Sequence, residues 1–385
     1  MRTKLAIIGA SYLQEPLIQK AKSMGIETHV FAWAAGDVGE KSADFFYPIS
    51  IVEKELILEK CLEIGIDGIC SIASDLAVIT VNYVANAMGL IGNSPESVEV
   101  TTNKHRMRLC FSRNGDPSTK SIQVSDVSDV DLSKIKYPVI VKPVDRSGSR
   151  GITEVRDKTE LPKAIEKAKK MGFEKAALIE NFIPGREYSV ESISWEGKHS
   201  VLALTQKYTT GAPAFIETGH LEPAPIDEVT FLKIKNVVIH ALNSLKIKYG
   251  ASHSEIKISE DGEIRIIEIG ARMGGDNIGA SLVELSTGYD FLKAVIDVSL
   301  GIKPEEKKED TGVYAGIRFV IDQKDIEVLE RMKKEHPEIL VDENIQDISN
   351  EAVTDSSSRF GYFLFRSKDA GIVNRYLPVQ GKEYV

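Results

Sequence analysis

At 385 residues, with 42% hydrophobic and 27% charged residues, the chain has room for two or three domains and the composition of a globular enzyme. A net charge of -9 with no basic stripe to offset it argues against a nucleic-acid partner. Cys61, Cys70 and Cys110 are too few and too scattered for a disulfide framework or a zinc site. No segment is apolar for long enough to span a membrane, and the run after Met1 is too short for a signal peptide, so a cytoplasmic protein is expected.

The first hundred residues alternate strand and helix. Lys4–Gly9 reads as a buried strand, Gln14–Met24 as a helix and Thr28–Ala32 as a second strand. A helix over Glu53–Ile64, a strand at Gly68–Ile72 and a helix at Leu76–Met88 follow. This order predicts a Rossmann-like unit over residues 1–100, a parallel sheet with helices on both faces. The segment after the first strand, Gly9-Ala-Ser-Tyr-Leu-Gln-Glu15, lacks the G-x-G-x-x-G spacing, so no dinucleotide site is expected there.

Asn93-Ser-Pro95 closes that unit, and a helix over Thr102–Arg113 precedes Gly115-Asp-Pro117. The next stretch, to about residue 300, is richer in strands: Val139–Lys142, Ile152–Val155, Ala177–Glu180, Tyr188–Ile193 and Val201–Gln206. Helices are expected over Glu160–Met171, Glu228–Leu245 and Tyr289–Leu300. After a Lys/Glu-rich linker, Pro304–Asp310, a small α+β unit is expected over 311–385, with a strand at Val313–Ile321, a helix at Asp325–Lys334 and a strand at Arg359–Arg366.

Three segments carry chemistry. Tyr137-Pro-Val-Ile-Val-Lys142 is an apolar strand ending in lysine, and Asp145-Arg-Ser-Gly-Ser-Arg-Gly151 follows it. A lysine beside a Ser/Gly loop suits polyphosphate, since backbone N–H groups and hydroxyls wrap the oxygens while the ammonium offsets their charge. The loop is no Walker motif and taken alone fits an ordinary turn as well. In Ala177-Leu-Ile-Glu-Asn-Phe-Ile-Pro-Gly-Arg-Glu187, Glu180 and Glu187 have the reach to accept from an adenine amino group and ribose hydroxyls. Each by itself also fits a surface carboxylate at a strand end.

The third segment, Ser252–Arg272, alternates around Asp261-Gly262 and reads as two strands joined by a two-residue turn. Glu260 then pairs with Glu263, Lys257 with Ile266 and Glu255 with Glu268. Like charges directly opposite cost a sheet roughly 0.2–1 kcal/mol. A divalent cation between Glu255 and Glu268 removes that penalty, and two hard carboxylates favour Mg2+, or Mn2+. A solvated edge hairpin explains the pair alone equally well. Gly270 falls opposite His253, and Arg272 shares the face of Glu268, ahead of the flexible run Met273-Gly-Gly-Asp276. That surface suits a phosphate-bearing nucleotide and an anionic substrate meeting at a metal.

The order of Asn103-Lys104 with Gly115-Asp-Pro117, Pro138–Lys142, the Ser/Gly loop, Ile179-Glu180 with Gly185-Arg-Glu187, and Glu255 with Glu268-x-x-x-Arg272 resembles the ATP-grasp superfamily over about residues 1–300. The resemblance implies ATP held between two α+β subdomains over 101–302, with a mobile subdomain at about 120–183, and C–N bond formation through an acyl phosphate. It implies Lys104 and Lys142 as phosphate-binding lysines, and Ser147, Gly148 and Ser149 as the closing loop. Glu180, Asn181 and Ile183 match the adenine hinge and Glu187 the ribose binder. Glu255 and Glu268 match the magnesium carboxylates, and Arg272 the arginine that holds the acyl phosphate or a substrate carboxylate. Many members carry asparagine two residues after the second metal carboxylate; here that position is Gly270.

Phe215-Ile-Glu-Thr-Gly-His-Leu-Glu-Pro-Ala224 with Gly250-Ala-Ser-His-Ser-Glu255 is similar to the L-amino-acid ligases, which implies His220, His253 and Gly274 near the substrate alongside Arg272. The three-part layout is also that of phosphoribosylglycinamide synthetase and the aminoimidazole ribonucleotide carboxylating enzymes. An ATP-binding regulatory protein without chemistry is the alternative from another class. The expected partners are small-molecule carboxylate and amine substrates, with a homodimer as the family-based expectation.

Overall fold

A computed structural model of the protein describes residues 2–212, 214–307, 311–349 and 352–379. Of the linker expected at Pro304–Asp310, residues 308–310 lie outside the described residues, as do 350–351 and 380–385 of the C-terminal unit.

The chain opens on four strands, β1 (Lys4–Ile8), β2 (Glu27–Phe31), β3 (Phe45–Tyr47) and β4 (Gly68–Cys70), in a parallel sheet of order β3-β2-β1-β4. The run Leu5-Ala-Ile-Ile8 is apolar throughout because both faces are covered. Leu5 and Ile7 pack with Leu17 of the helix Glu15–Ser23 and with Phe291 and Val295 of the distant helix Phe291–Ser299. Ala6 and Ile8 face Ile57 and Ala77, from the helices Lys54–Ile64 and Asp75–Met88. Each large apolar side chain so buried stabilises the fold by about 1.5–3 kcal/mol.

Strands β5 (Ser121–Val124), β6 (Val139–Pro143), β7 (Thr153–Val155) and β8 (Ala177–Asn181) form an antiparallel sheet of order β5-β8-β6-β7. The helix Leu161–Met171 covers it with Leu161, Ala164, Ile165 and Ala168, the single stripe that a 3.6-residue period aligns.

The remaining strands are β9 (Arg186–Trp195), β10 (Lys198–Thr209), β11 (Glu217–Glu222), β12 (Gly250–Ile258), β13 (Ile264–Gly270), β14 (Tyr314–Phe319), β15 (Leu340–Ile345) and β16 (Gly361–Ser367). They form one eight-stranded sheet, β13-β12-β9-β10-β11-β14-β16-β15. The C-terminal strands therefore extend the central sheet rather than forming one of their own. The join is β11 against β14, where Gly219 pairs with Arg318; a Cβ at Gly219 would lie 2.6 Å from the Ile317 carbonyl oxygen. The helix Glu228–Ser244, capped by Asp227, lays Ile234, Val238 and Leu242 over Val190, Leu204 and Ile256.

The β12–β13 turn differs from the expected two-residue one. The Ser259 N–H donates to the Glu263 carbonyl and the Gly262 N–H to that of Ser259, both at 3.0 Å, so Glu260, Asp261 and Gly262 form a three-residue loop. Gly262 takes the left-handed conformation this loop type requires, at φ 81°. Lys257 consequently pairs with Arg265 instead of Ile266, and Glu260 lies in the loop rather than opposite Glu263. A bulge that leaves Ile267 unmatched then restores the register, so Glu255 does face Glu268 and His253 does face Gly270.

Candidate active site

A cleft of about 1040 Å³ lies between the β6/β8 sheet and the β12–β13 hairpin. Alternation along β12 puts His253, Glu255 and Lys257 on its floor, while β13 adds Glu268 and Gly270. Lys142 and Glu180 come from the facing sheet, and Asn181, Ile183 and Glu187 from the crossing to β9. Ser147, Gly148 and Ser149 hang over the opening, with Gly148 and Ser149 both left-handed, at φ 71° and 57°. The Ser149 hydroxyl donates to the Phe215 carbonyl at 3.1 Å, so the loop rests on the far wall.

Each predicted acid has a cation. Lys104, the first residue of the helix Lys104–Asn114, is positioned by the Asn103 cap and pairs with Glu268. Lys142 Nζ lies 2.5 Å from Glu180 Oε1, and Arg108 reaches the other oxygen at 3.0 Å, all three being buried. Both oxygens of Glu180 are thus held by cations. Burial alone would raise the Glu180 carboxyl, but Arg108 and Lys142 outweigh it and keep it below the usual range. Burial pulls the Lys142 ammonium below its ordinary value, against the pull of Glu180.

Three residues central to this network carry no signal in the motifs above. Lys207 of β10 is buried and lies 2.7 Å from Glu255, 3.0 Å from Glu187 and 3.5 Å from Glu217. Burial opposes its charge, but the three carboxylates raise its ammonium well above the ordinary value. Glu191 of β9 is fully buried, pairs with His253 Nδ1 and accepts the Gly274 N–H at 2.9 Å. His253 Nε2 then faces Glu255 at 3.4 Å. Burial disfavours the charged ring, yet Glu191 lifts it to about 9. Gly274 has no room for a side chain, since a Cβ would lie 2.5 Å from Glu191 Oε1.

The third is Asp75, at the start of the helix Asp75–Met88. Its carboxylate accepts from Arg272 Nε at 2.7 Å and Nη2 at 3.3 Å, linking the leading sheet to the cleft. Burial alone would raise Asp75, but Arg272 holds it below the carboxylate range. His220 sits apart from the first cleft, fully buried on β11 in the wall of a second, contiguous cleft shared with Arg272, His253 and Tyr12. Burial lowers its ring below the ordinary value despite Asp276 nearby.

Glu255 and Glu268 are directly paired and keep 23% and 17% of their side chains exposed to the cleft. Among the described residues no group of three or more His, Cys, Asp or Glu is placed to hold a metal ion. Two carboxylates fit Mg2+, which commonly takes one or two protein carboxylates and completes its shell with phosphate oxygens and water.

An ATP-grasp domain model matches residues 135–280, the stretch that includes β6 to β13. Alanine–anticapsin ligase of Bacillus subtilis is 27% identical over 298 residues, which cover 68% of this chain and 62% of that enzyme. The chain thus spans about six-tenths of the length of that relative. The L-amino acid ligase of Bacillus licheniformis superposes with a TM-score of 0.82 at 23% identity, over 97% of this chain and 96% of that one. Phosphoribosylglycinamide synthetase of Anaerococcus prevotii gives 0.76 at 18% identity, over the same shares. Residues 135–280 of this chain thus form an ATP-grasp domain, in which Glu255 and Glu268 face one another on adjacent strands.

Proposed function

We propose that the protein is an ATP- and magnesium-dependent carboxylate–amine ligase that joins an amino acid or short peptide to a second amine. The observation that carries the reading is the pairing of Glu255 with Glu268 in a cleft also lined by Lys104, Lys142 and Arg272. In this reading a substrate carboxylate oxygen attacks the γ-phosphorus of ATP and ADP departs, leaving an acyl phosphate. The amine nitrogen then attacks the acyl carbon, phosphate leaves and the amine gives up a proton.

The chain's part is positioning and charge neutralisation. Lys104, from a helix N-terminus, and Lys142, from β6, face the phosphates, and the Arg146–Gly151 loop shields the acyl phosphate from water. Arg272, steadied by Asp75, holds the anionic substrate. Mg2+, held by Glu255 and Glu268, would offset charge on the transferring phosphoryl group.

Amino-acid substrates are favoured over ribose phosphates by Gln14. Helix N-termini after the first strand of a parallel sheet are the usual phosphate seat in such units. Here the Gln14 side chain fills that seat. Its Oε1 accepts from the Ser11 hydroxyl at 2.7 Å, its Nε2 donates to the Ile72 carbonyl at 2.8 Å, and it lies 2.9 Å from where a Cβ of Gly9 would be.

The test is ADP and phosphate release with Mg-ATP across pairs of L-amino acids, set beside phosphoribosylamine with glycine. Turnover of an amino-acid pair supports the reading. Turnover with the ribosylamine alone moves the protein to purine synthesis. ATP binding without turnover on any acceptor favours a regulatory protein.

A further inference from the structure

The loop after β13 carries two consecutive non-glycine residues in the left-handed region, Asp276 at φ 51° and Asn277 at φ 60°. Such backbone persists only where its surroundings enforce it, and it concentrates at ligand sites. What enforces it is Arg359, just before β16. Its guanidinium grips both oxygens of Asp276, at 2.5 and 3.1 Å, and stacks 3.7 Å above the Phe319 ring. It also donates to the carbonyls of Ser356 at 2.8 Å and Glu217 at 3.3 Å.

The two partners face different surroundings. The Arg359 side chain is 5% exposed and its donors are directed at protein acceptors, whereas Asp276 keeps 20% of its side chain in the cleft that Arg272, His253 and Tyr12 also line. An ionised carboxylate has about four acceptor sites, and Arg359 occupies two. The second cleft therefore has a cation, Arg272, before the Met273–Gly275 run and a carboxylate with open acceptor sites directly after it. Beneath Asp276, His220 lies with Nε2 3.9 Å from Oδ2 and its ring edge-on to Phe319, closing the site from below.

We propose that Asp276, aimed by Arg359, receives the α-ammonium group of the amino acid whose carboxylate is activated. The inference rests on the amino-acid ligase reading and assigns the C-terminal strands a part in the substrate cleft. Holding that nitrogen protonated also keeps it from acting as the nucleophile while its own carboxyl is activated.

The test compares Mg-ATP-dependent phosphate release on L-alanine, L-leucine and L-phenylalanine with release on propionate, 4-methylpentanoate and 3-phenylpropanoate, which lack only the amino group. Asp276→Asn is expected to cut kcat/KM on the amino acids by about 10- to 100-fold, the loss of one charged hydrogen bond, and to leave the des-amino acids and the KM for ATP unchanged. Arg359→Lys is expected to retain much of the preference that Arg359→Gln loses, which a purely structural clamp does not predict. Thermal melting and ATP binding confirm that each variant folds. An equal loss on both substrate series, or none on either, overturns the subsite while leaving the ligase reading intact. If the wild-type protein activates none of the twenty L-amino acids, the amino-acid reading falls and the subsite with it.

Discussion

Gly270 and Asp75 occupy each other's space: a Cβ built on Gly270 would lie 2.9 Å from Asp75 Oδ1 and 3.2 Å from Arg272 Cζ. The position where the ATP-grasp resemblance leads one to expect asparagine is glycine here, and the Asp75 carboxylate lies beside it, paired with Arg272. Gly270→Ala should displace Asp75 and destabilise the protein by about 1–3 kcal/mol, the usual cost of overpacking. Combined with Asp75→Ala, the same methyl should cost markedly less, because its nearest obstacle is gone and Arg272 is released from its partner. Thermal melts of the two single variants and the double variant measure this coupling, and simple additivity would show that the two residues do not compete.

Lys207 balances three carboxylates at once, so Lys207→Met should be among the most damaging single changes in the cleft. Removing one partner from a buried ion cluster costs about 3–5 kcal/mol. In the variant, Glu187, Glu217 and Glu255 repel one another once ionised, so the folded state favours their protonated forms. The variant is then more stable at low pH and loses stability as these carboxylates ionise. Denaturant melts at pH 5 and pH 8 should show the variant recovering on acidification; an equal deficit at both would argue against charge balance as the role of Lys207.

The Glu255–Glu268 pairing was legible because a strand's period of two assigns every side chain to a face, and the alternation around Asp261-Gly262 is clear. The turn was misplaced by one residue, and the bulge at Ile267 cancelled the error at the site while leaving Lys257 mispaired. Nothing in a single sequence signals that bulge. Lys207 and Glu191 were illegible for a different reason. A charged residue inside an apolar strand reads as an exposed position or a strand end, and the predicted strand Val201–Gln206 stopped one residue short of Lys207. Their meaning depends on partners from other strands, which pair only once the sheet has formed. The join of β11 to β14 was hidden likewise, since Glu217-Thr-Gly-His-Leu-Glu222 is polar and carries a glycine at its centre.

Glu191 keeps the His253 ring charged, and that effect can be read directly. With the wild-type protein, the imidazole should titrate near 9 in heteronuclear NMR. A histidine raised above its unfolded value of about 6.5 adds stability that is complete below that pH and is lost as pH climbs through the folded value. Glu191→Gln removes the counter-charge and leaves the burial, so the ring should fall to or below the ordinary histidine value. An unchanged titration in the variant would assign the shift to Glu255 instead.

Glu222 gives the opposite sign from the usual carboxylate. It is fully buried at the end of β11, accepting from the Thr205 hydroxyl at 2.6 Å and the Ser286 hydroxyl at 2.7 Å. Burial lifts its carboxyl from the ordinary 4.5 to about 7, and the two hydroxyls offset only part of that. Because the folded value exceeds the unfolded one, the native state binds the extra proton between them. Stability from this group is present below about 4.5 and is lost as pH rises through about 7. At roughly 1.4 kcal/mol per unit, the loss is on the order of a few kcal/mol by pH 8. Glu222→Gln keeps an oxygen acceptor and cannot ionise, so it should be more stable than the wild type at pH 8 and about equal to it at pH 4.5. Melting temperatures of both proteins across that range decide the matter. If the two curves ran parallel, Glu222 would be ionised throughout, and its hydroxyl partners rather than burial would govern its charge.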